Sequence, residues 1–187
     1  MMKNVEWGSV AYLKQSEYGL GINDIGINNN SSYITSGGKN KYLTTKNLKM
    51  STTGNMYGIY DMSGGVWEYV MGNLVNLSNA FNSSESRFIN APELKYYDAY
   101  NYDTSYTSHE RGKLGDATKE TLAHFGSDYT VPRGWYDDYS YFIQNTNNLF
   151  VRGGVYSDSD NVGLFTFHRY KGNSLSNSGS RSVLVIE

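Results

Sequence analysis

Val151-Arg152-Gly153-Gly154 and Gly179-Ser180-Arg181 bracket a stretch in which aromatic, amide, hydroxyl and acidic side chains crowd together. Tyr156, Ser157, Asp158, Asp160, Asn161, Phe165, Phe167, His168, Arg169, Tyr170, Asn173 and Asn177 all fall inside it. Tyrosine supplies contact area at low entropic cost, and serine and asparagine supply adaptable hydrogen bonds, so this is the composition of a recognition surface rather than of a catalytic pocket. The segment 151–185 is therefore expected to be displayed by whatever frame the rest of the chain builds.

The length of 187 residues fits a single domain spanning 1–187. Leucine, isoleucine and valine are sparse, but 18 tyrosines provide large buriable area, so a core is attainable. A net charge of −2 with 15% aromatic residues argues against a disordered chain. There is no basic run to bind nucleic acid and no apolar run of membrane-spanning length. No secretion signal is visible, since Met1-Met2-Lys3 runs straight into an amphipathic segment. Cysteine is absent, which removes disulfide frames and thiolate chemistry together.

The spacing of Trp7, Val10, Ala11 and Lys14 predicts a helix over Asn4 to Tyr18, with Asn4 as its cap and Gly19 at its C′ position. Residues 21–55 read as a long structured loop or a weak hairpin, 57–70 as a buried turn followed by a strand, and 73–87 as polar again. A second helix is expected over Ala117 to Phe125, capped by Asp116. Arg133 to Phe142 is aromatic and is expected to wrap the core. Strands are expected at Phe150–Val155, Leu164–Phe167 and Ser182–Ile186. The fold class is α+β, with two or so helices, short antiparallel strands and extensive ordered loops.

Three motifs carry a resemblance. Gly58-Ile59-Tyr60-Asp61-Met62-Ser63-Gly64-Gly65-Val66-Trp67-Glu68-Tyr69, then Val151-Arg152-Gly153-Gly154, then Gly179-Ser180-Arg181 resemble, in order, the signatures of the formylglycine-generating-enzyme (sulfatase-modifying factor) superfamily. The resemblance implies a C-type-lectin-like fold over Tyr57–Glu187. Gly65, Tyr69 and Tyr156 depart from its pattern, and the absence of cysteine removes the superfamily's oxidation chemistry. Asn161-Val162-Gly163-Leu164-Phe165-Thr166-Phe167 is similar to a frame in the variable proteins of diversity-generating retroelements. That implies a non-enzymatic module binding a protein or glycan receptor, set on a cell surface, pilus tip or phage tail. Two other readings stand beside it: a cysteine-independent, metal-assisted enzyme of the same superfamily, and a calcium-dependent sugar-binding lectin.

Several residues invite chemistry but have plainer explanations. Arg152 and Arg181 are expected to hold loop carbonyls or an acid such as Glu68 or Asp61 rather than an anionic ligand. Gly64, Gly65, Gly153 and Gly154 suit tight turns or close packing, and Trp67 and Tyr60 suit a core. No cofactor is expected. Calcium is conceivable at Ser157–Asn161, more weakly at Asp24 with Asn28, Asn29 and Asn30, although a solvated loop explains both. His109, His124 and His168 lack zinc-ligand spacing. Asp137 and Asp138, being adjacent, point to opposite faces and cannot share acid/base work. Of Tyr96, Tyr97, Tyr100, Tyr102 and Tyr106, half are expected in the core and the rest at a contact surface.

Overall fold

The computed structural model describes residues 1–29, 48–75, 92–104, 111–119 and 132–184, together with the backbone of 122–125. The architecture is α+β, with one α-helix among the described residues and a mixed sheet. That helix is neither long nor apolar enough to cross a membrane.

Helix α1 spans Asn4–Gln15 and buries Trp7, Gly8, Ala11 and Lys14, as the three-and-four spacing requires. Its first turn is closed by Glu6, whose carboxylate accepts the Lys3 main-chain N–H at 2.6 Å. Asn4, expected as the cap, is instead fully buried and donates from Nδ2 to the Tyr100 hydroxyl at 2.8 Å. Gly19 lies beyond the helix end at Ser16. A Cβ there would sit 2.3 Å from the Lys14 carbonyl oxygen, so the glycine serves a close approach rather than a C′ turn.

Strand β1 (Trp67–Val75) is the spine of the sheet. One edge pairs antiparallel with β5 (Leu149–Arg152), which pairs in turn with β6 (Phe167–Tyr170). The other edge is shared by three segments. β7 (Ser178–Ser180) runs parallel to Trp67–Tyr69, the Met2 carbonyl accepts the Met71 N–H, and β2 (Asp98–Asn101) runs parallel to Gly72–Val75. A separate ladder joins β3 (Leu122–Phe125) to β4 (Pro132–Gly134).

Three expectations are corrected. The second helix is absent: Leu122–Phe125 is strand β3, and Gly115 and Ala117 adopt positive φ values of 92° and 57°. The reason is a long-range contact, because the carbonyls of Asp116 and Ala117 accept the Arg152 guanidinium where a helix would have used them in its own ladder. Leu164–Phe167 is a turn rather than a strand, since the Phe165 N–H donates to the buried Asp138 carboxylate at 2.9 Å and pairing begins only at Phe167. Ser182 to Leu184 lie outside any strand, with Leu184 86% exposed, and the C-terminal pairing is made by Ser178–Ser180 instead. Positions 185–187 lie outside the described residues, as do 30–47 and 76–91.

Trp7, Met62, Leu74, Tyr100, Phe142, Phe150, Leu164, Phe165 and Phe167 form one core between the helix and the inner face of the sheet. Phe142 meets Phe150 edge-on at 5.1 Å and Phe150 meets Phe167 at 5.9 Å, so aromatic interlocking replaces aliphatic bulk. Tyr97 and Tyr100 are buried, Tyr102 is half-buried against the core and Tyr96 is exposed, while Tyr106 lies outside the described residues. Asp137 is exposed and Asp138 buried, the chain turning between them at the positive φ of 67° of Asp137. Burial, with Asp24 adding to it, pushes the Asp138 carboxyl well above its ordinary range against the opposing Phe165 N–H.

Candidate recognition surface

The two arginines are structural. Arg152 is fully buried, with its guanidinium 5.8 Å from the Trp7 ring and donating to the Ala117 carbonyl at 3.4 Å and to that of Asp116. Arg181 pairs with Glu68 on β1 and donates to the carbonyls of Tyr60 (3.2 Å) and Asp61 (3.1 Å). It thereby ties β7 and the 60–61 turn to the spine. Burial raises the Glu68 carboxyl above its ordinary range, and the Arg181 hydrogen bond and charge oppose that shift.

The paired glycines lock the same region. Gly64 and Gly65 both sit at φ 75°, Gly153 at 81° and Gly154 at 83°. The Gly64 N–H donates to the Gly153 carbonyl, and the Tyr156 N–H donates to that of Gly65 at 3.1 Å. A Cβ on Gly154 would lie 2.2 Å from Val162, so β5 can end only with glycine there. Tyr156 therefore leaves the sheet from a fixed anchor.

The strict two-residue alternation of the strands then assigns faces. Phe150, Arg152 and Phe167 point into the core, and Leu149, Val151, His168 and Tyr170 point outward. Trp67 and Tyr69 share that outer face, forming with Val151, Val155, Tyr156 and Tyr170 a second apolar cluster. Tyr170 meets Tyr69 edge-on at 6.2 Å, and His168 lies 5.5 Å from Trp67 and 4.7 Å from Tyr141. The Tyr69 hydroxyl donates to the Asn173 carbonyl at 2.9 Å, which fixes the segment leaving β6. Burial, followed by the influence of Tyr170, lifts that phenol to about 12.

The candidates separate accordingly. Tyr156, His168 and Tyr170 are half-buried on the outer face, Asn173 is exposed, and Asn177 is half-buried beside them. Ser157 is exposed in the turn that follows Val155, and Asp160 is exposed on the 3-10 turn at Ser159–Asn161. Phe165 and Phe167, expected to supply contact area, are 1% and 0% exposed and belong to the core. Phe167 alternates with His168, so only one of them can face outward. Asn161 is braced within its own chain: its amide donates to the Asp158 carbonyl and accepts from Arg133. Arg169 lies along the sheet edge, 5.7 Å from the Tyr141 ring, and donates to Gln144 at 3.3 Å. Trp67 and Tyr69 were not among the expected contact residues, although the alternation of Trp67 and Tyr69 with Glu68 and Val70 carries the signal.

At the conceivable calcium loop, one oxygen of Asp158 accepts the Val155 N–H at 3.3 Å and burial raises its carboxyl. Asn28 is a main-chain brace, donating to Ser63 and accepting from Gly65. No three His, Cys, Asp or Glu side chains come together among the described residues. His109 lies outside those residues.

Burial lowers His168 to about 4, so the outer face carries no charge from it near neutral pH. An imidazole held neutral when folded binds its proton more readily when the chain unfolds. Between pH 6.5 and about 4 stability therefore rises with pH, and it is lost progressively as the pH falls through that window. His168→Phe removes this dependence. The stability of the parent relative to that variant should drop by about 3 kcal/mol from pH 7 to pH 4 in urea titrations. Parallel profiles would show a solvated ring.

No family model matches this chain, and no curated protein or solved structure matches it.

Proposed function

We propose that this protein is a non-enzymatic recognition module, in which the outer face of the mixed sheet presents Tyr156, His168, Tyr170, Asn173 and Asn177 to a partner. The observation that carries the reading is the placement of half-exposed aromatics on a floor of Trp67 and Val151, braced from behind by the buried Arg152 and the Arg181–Glu68 pair. Preorganisation of this kind lowers the ordering cost of binding, and large amphipathic rings supply area with few rotors to freeze.

A C-type-lectin-like scaffold of the kind diversified by retroelements accounts for the same arrangement. It explains why both arginine motifs serve the frame while the side chains between them are divided between core and surface. The partner is a protein or glycan receptor, and the setting is a cell surface or a virion. The fold should then tolerate change on the outer face. Variants randomised together at Tyr156, Asp160, His168, Tyr170, Asn173 and Asn177 should mostly keep cooperative unfolding midpoints within about 10 °C of the parent. Widespread loss of folding in that set would place these side chains in the stabilising core and end the proposal.

A further inference from the structure

A cavity of about 300 Å³ opens beside β7, lined by Tyr69, Met71, Leu149, Leu175, Ser178 and Ser180 among others. Met71 and Leu149 are 8% and 3% exposed and form its apolar floor, and among the described residues no Asp, Glu, Lys, Arg or His side chain lines it. The Ser178 hydroxyl is buried with no hydrogen-bond partner.

Among the described residues, nothing pairs with the adjoining strand edge. In the parallel register, the Trp67 N–H donates to the Asn177 carbonyl and the Met2 N–H to that of Arg181, so Asn177, Gly179 and Arg181 turn their main-chain groups toward β1 and the N-terminal segment. Ser178 and Ser180 turn theirs away. The Ser178 N–H is used by the Leu175 carbonyl at 3.2 Å, but the N–H and C=O of Ser180 have no main-chain partner among the described residues, and Ser180 is exposed. An unpaired edge of this kind is a template for another extended chain. At the start of β6, by contrast, Phe167 exchanges both of its outward main-chain bonds with Tyr139 and Tyr141.

Building on the recognition-module reading, we infer that the partner is a protein, which adds an extended, uncharged segment to the open edge of β7 and places one apolar side chain in the cavity. Main-chain bonds to Ser180 and the Ser178 carbonyl give the ladder. The two-residue side-chain period brings alternate residues of the added strand over the outer face, where Met71 and Leu149 receive an aliphatic or aromatic anchor. The apolar floor of Met71 and Leu149 suits a neutral anchor, and a ladder of amides is something a polypeptide offers and a sugar does not.

The test is a titration of the isotopically labelled full chain with a blocked six-residue peptide alternating threonine and leucine, followed by NMR. Saturable shifts are expected at the amides of Ser178–Ser180 and at the methyl groups of Met71 and Leu149. Ser180→Pro removes the outward N–H without touching the ladder to β1, and should weaken the peptide about tenfold, as for one lost hydrogen bond. Ser174→Trp fills the cavity from its exposed rim and should do the same, which keeps the test informative if the proline variant unfolds. Absence of saturable shifts at millimolar peptide, shifts that neither variant weakens, or perturbation of the cavity by methyl glycosides but not by peptide would overturn the inference. Should the peptide fail while randomised outer-face variants yield binders, strand addition falls and the recognition reading stands. Binding of the peptide with no binders from that set would uphold strand addition and remove the outer-face aromatics as the recognition site.

Discussion

Arg152→Ala should destabilise the protein by about 3–5 kcal/mol and lower its unfolding midpoint by about 10 °C or more. Two effects add. The carbonyls of Asp116 and Ala117 lose their donor inside the core, and a void opens between Trp7 and Phe167, whose rings lie 5.8 and 5.5 Å from the guanidinium. Arg152→Met restores volume but not the hydrogen bonds, so it should recover less than half of the loss in chemical denaturation. A near-neutral Arg152→Ala would show that the guanidinium is solvated, and the frame behind the recognition face would then lack its central brace.

Phe167→Ala should cost about 3–5 kcal/mol, whereas Tyr170→Ala, three residues along the same strand, should cost about 1 kcal/mol. Phe167 is fully buried against Phe142 and Phe150, while Tyr170 is half-exposed and leans on Tyr69 by one ring edge. Urea unfolding of the two variants side by side checks the assignment of faces. Equal costs would mean that β6 is buried on both sides, and a larger cost at Tyr170 that it has the opposite phase.

Much of the frame was legible in the chain because its physics is local or chemically narrow. A helix with Trp7, Ala11 and Lys14 on one face follows from spacing alone. Arg152 and Arg181 read as holders of loop carbonyls or an acid, and both donate to main-chain carbonyls while Arg181 pairs with Glu68. The glycine pairs read as close-packing sites, and positive φ at all four positions explains why no other residue suits them. What was not legible depends on distant partners. Phe165 and Phe167 share an aromatic-rich stretch with His168 and Tyr170, and only pairing with β5 sets which rings go inward. The helix expected after Asp116 has good local propensity, but the Arg152 guanidinium, 36 positions away in the chain, takes the carbonyls it would need. The valine and leucine after Arg181 look like a strand, yet pairing to β1 is made just before them, by two serines and a glycine whose propensity is poor.

The decisive measurement is a selection. The set randomised at Tyr156, Asp160, His168, Tyr170, Asn173 and Asn177 is displayed and panned against a globular protein that the parent does not bind. Folded binders are expected, whose affinity is lost on reverting the selected outer-face residues and is insensitive to exposed changes at Leu13 or Leu94 on other surfaces. Recovery of no binders, or of binders whose contacts map away from the outer sheet face, would contradict a recognition role for that face.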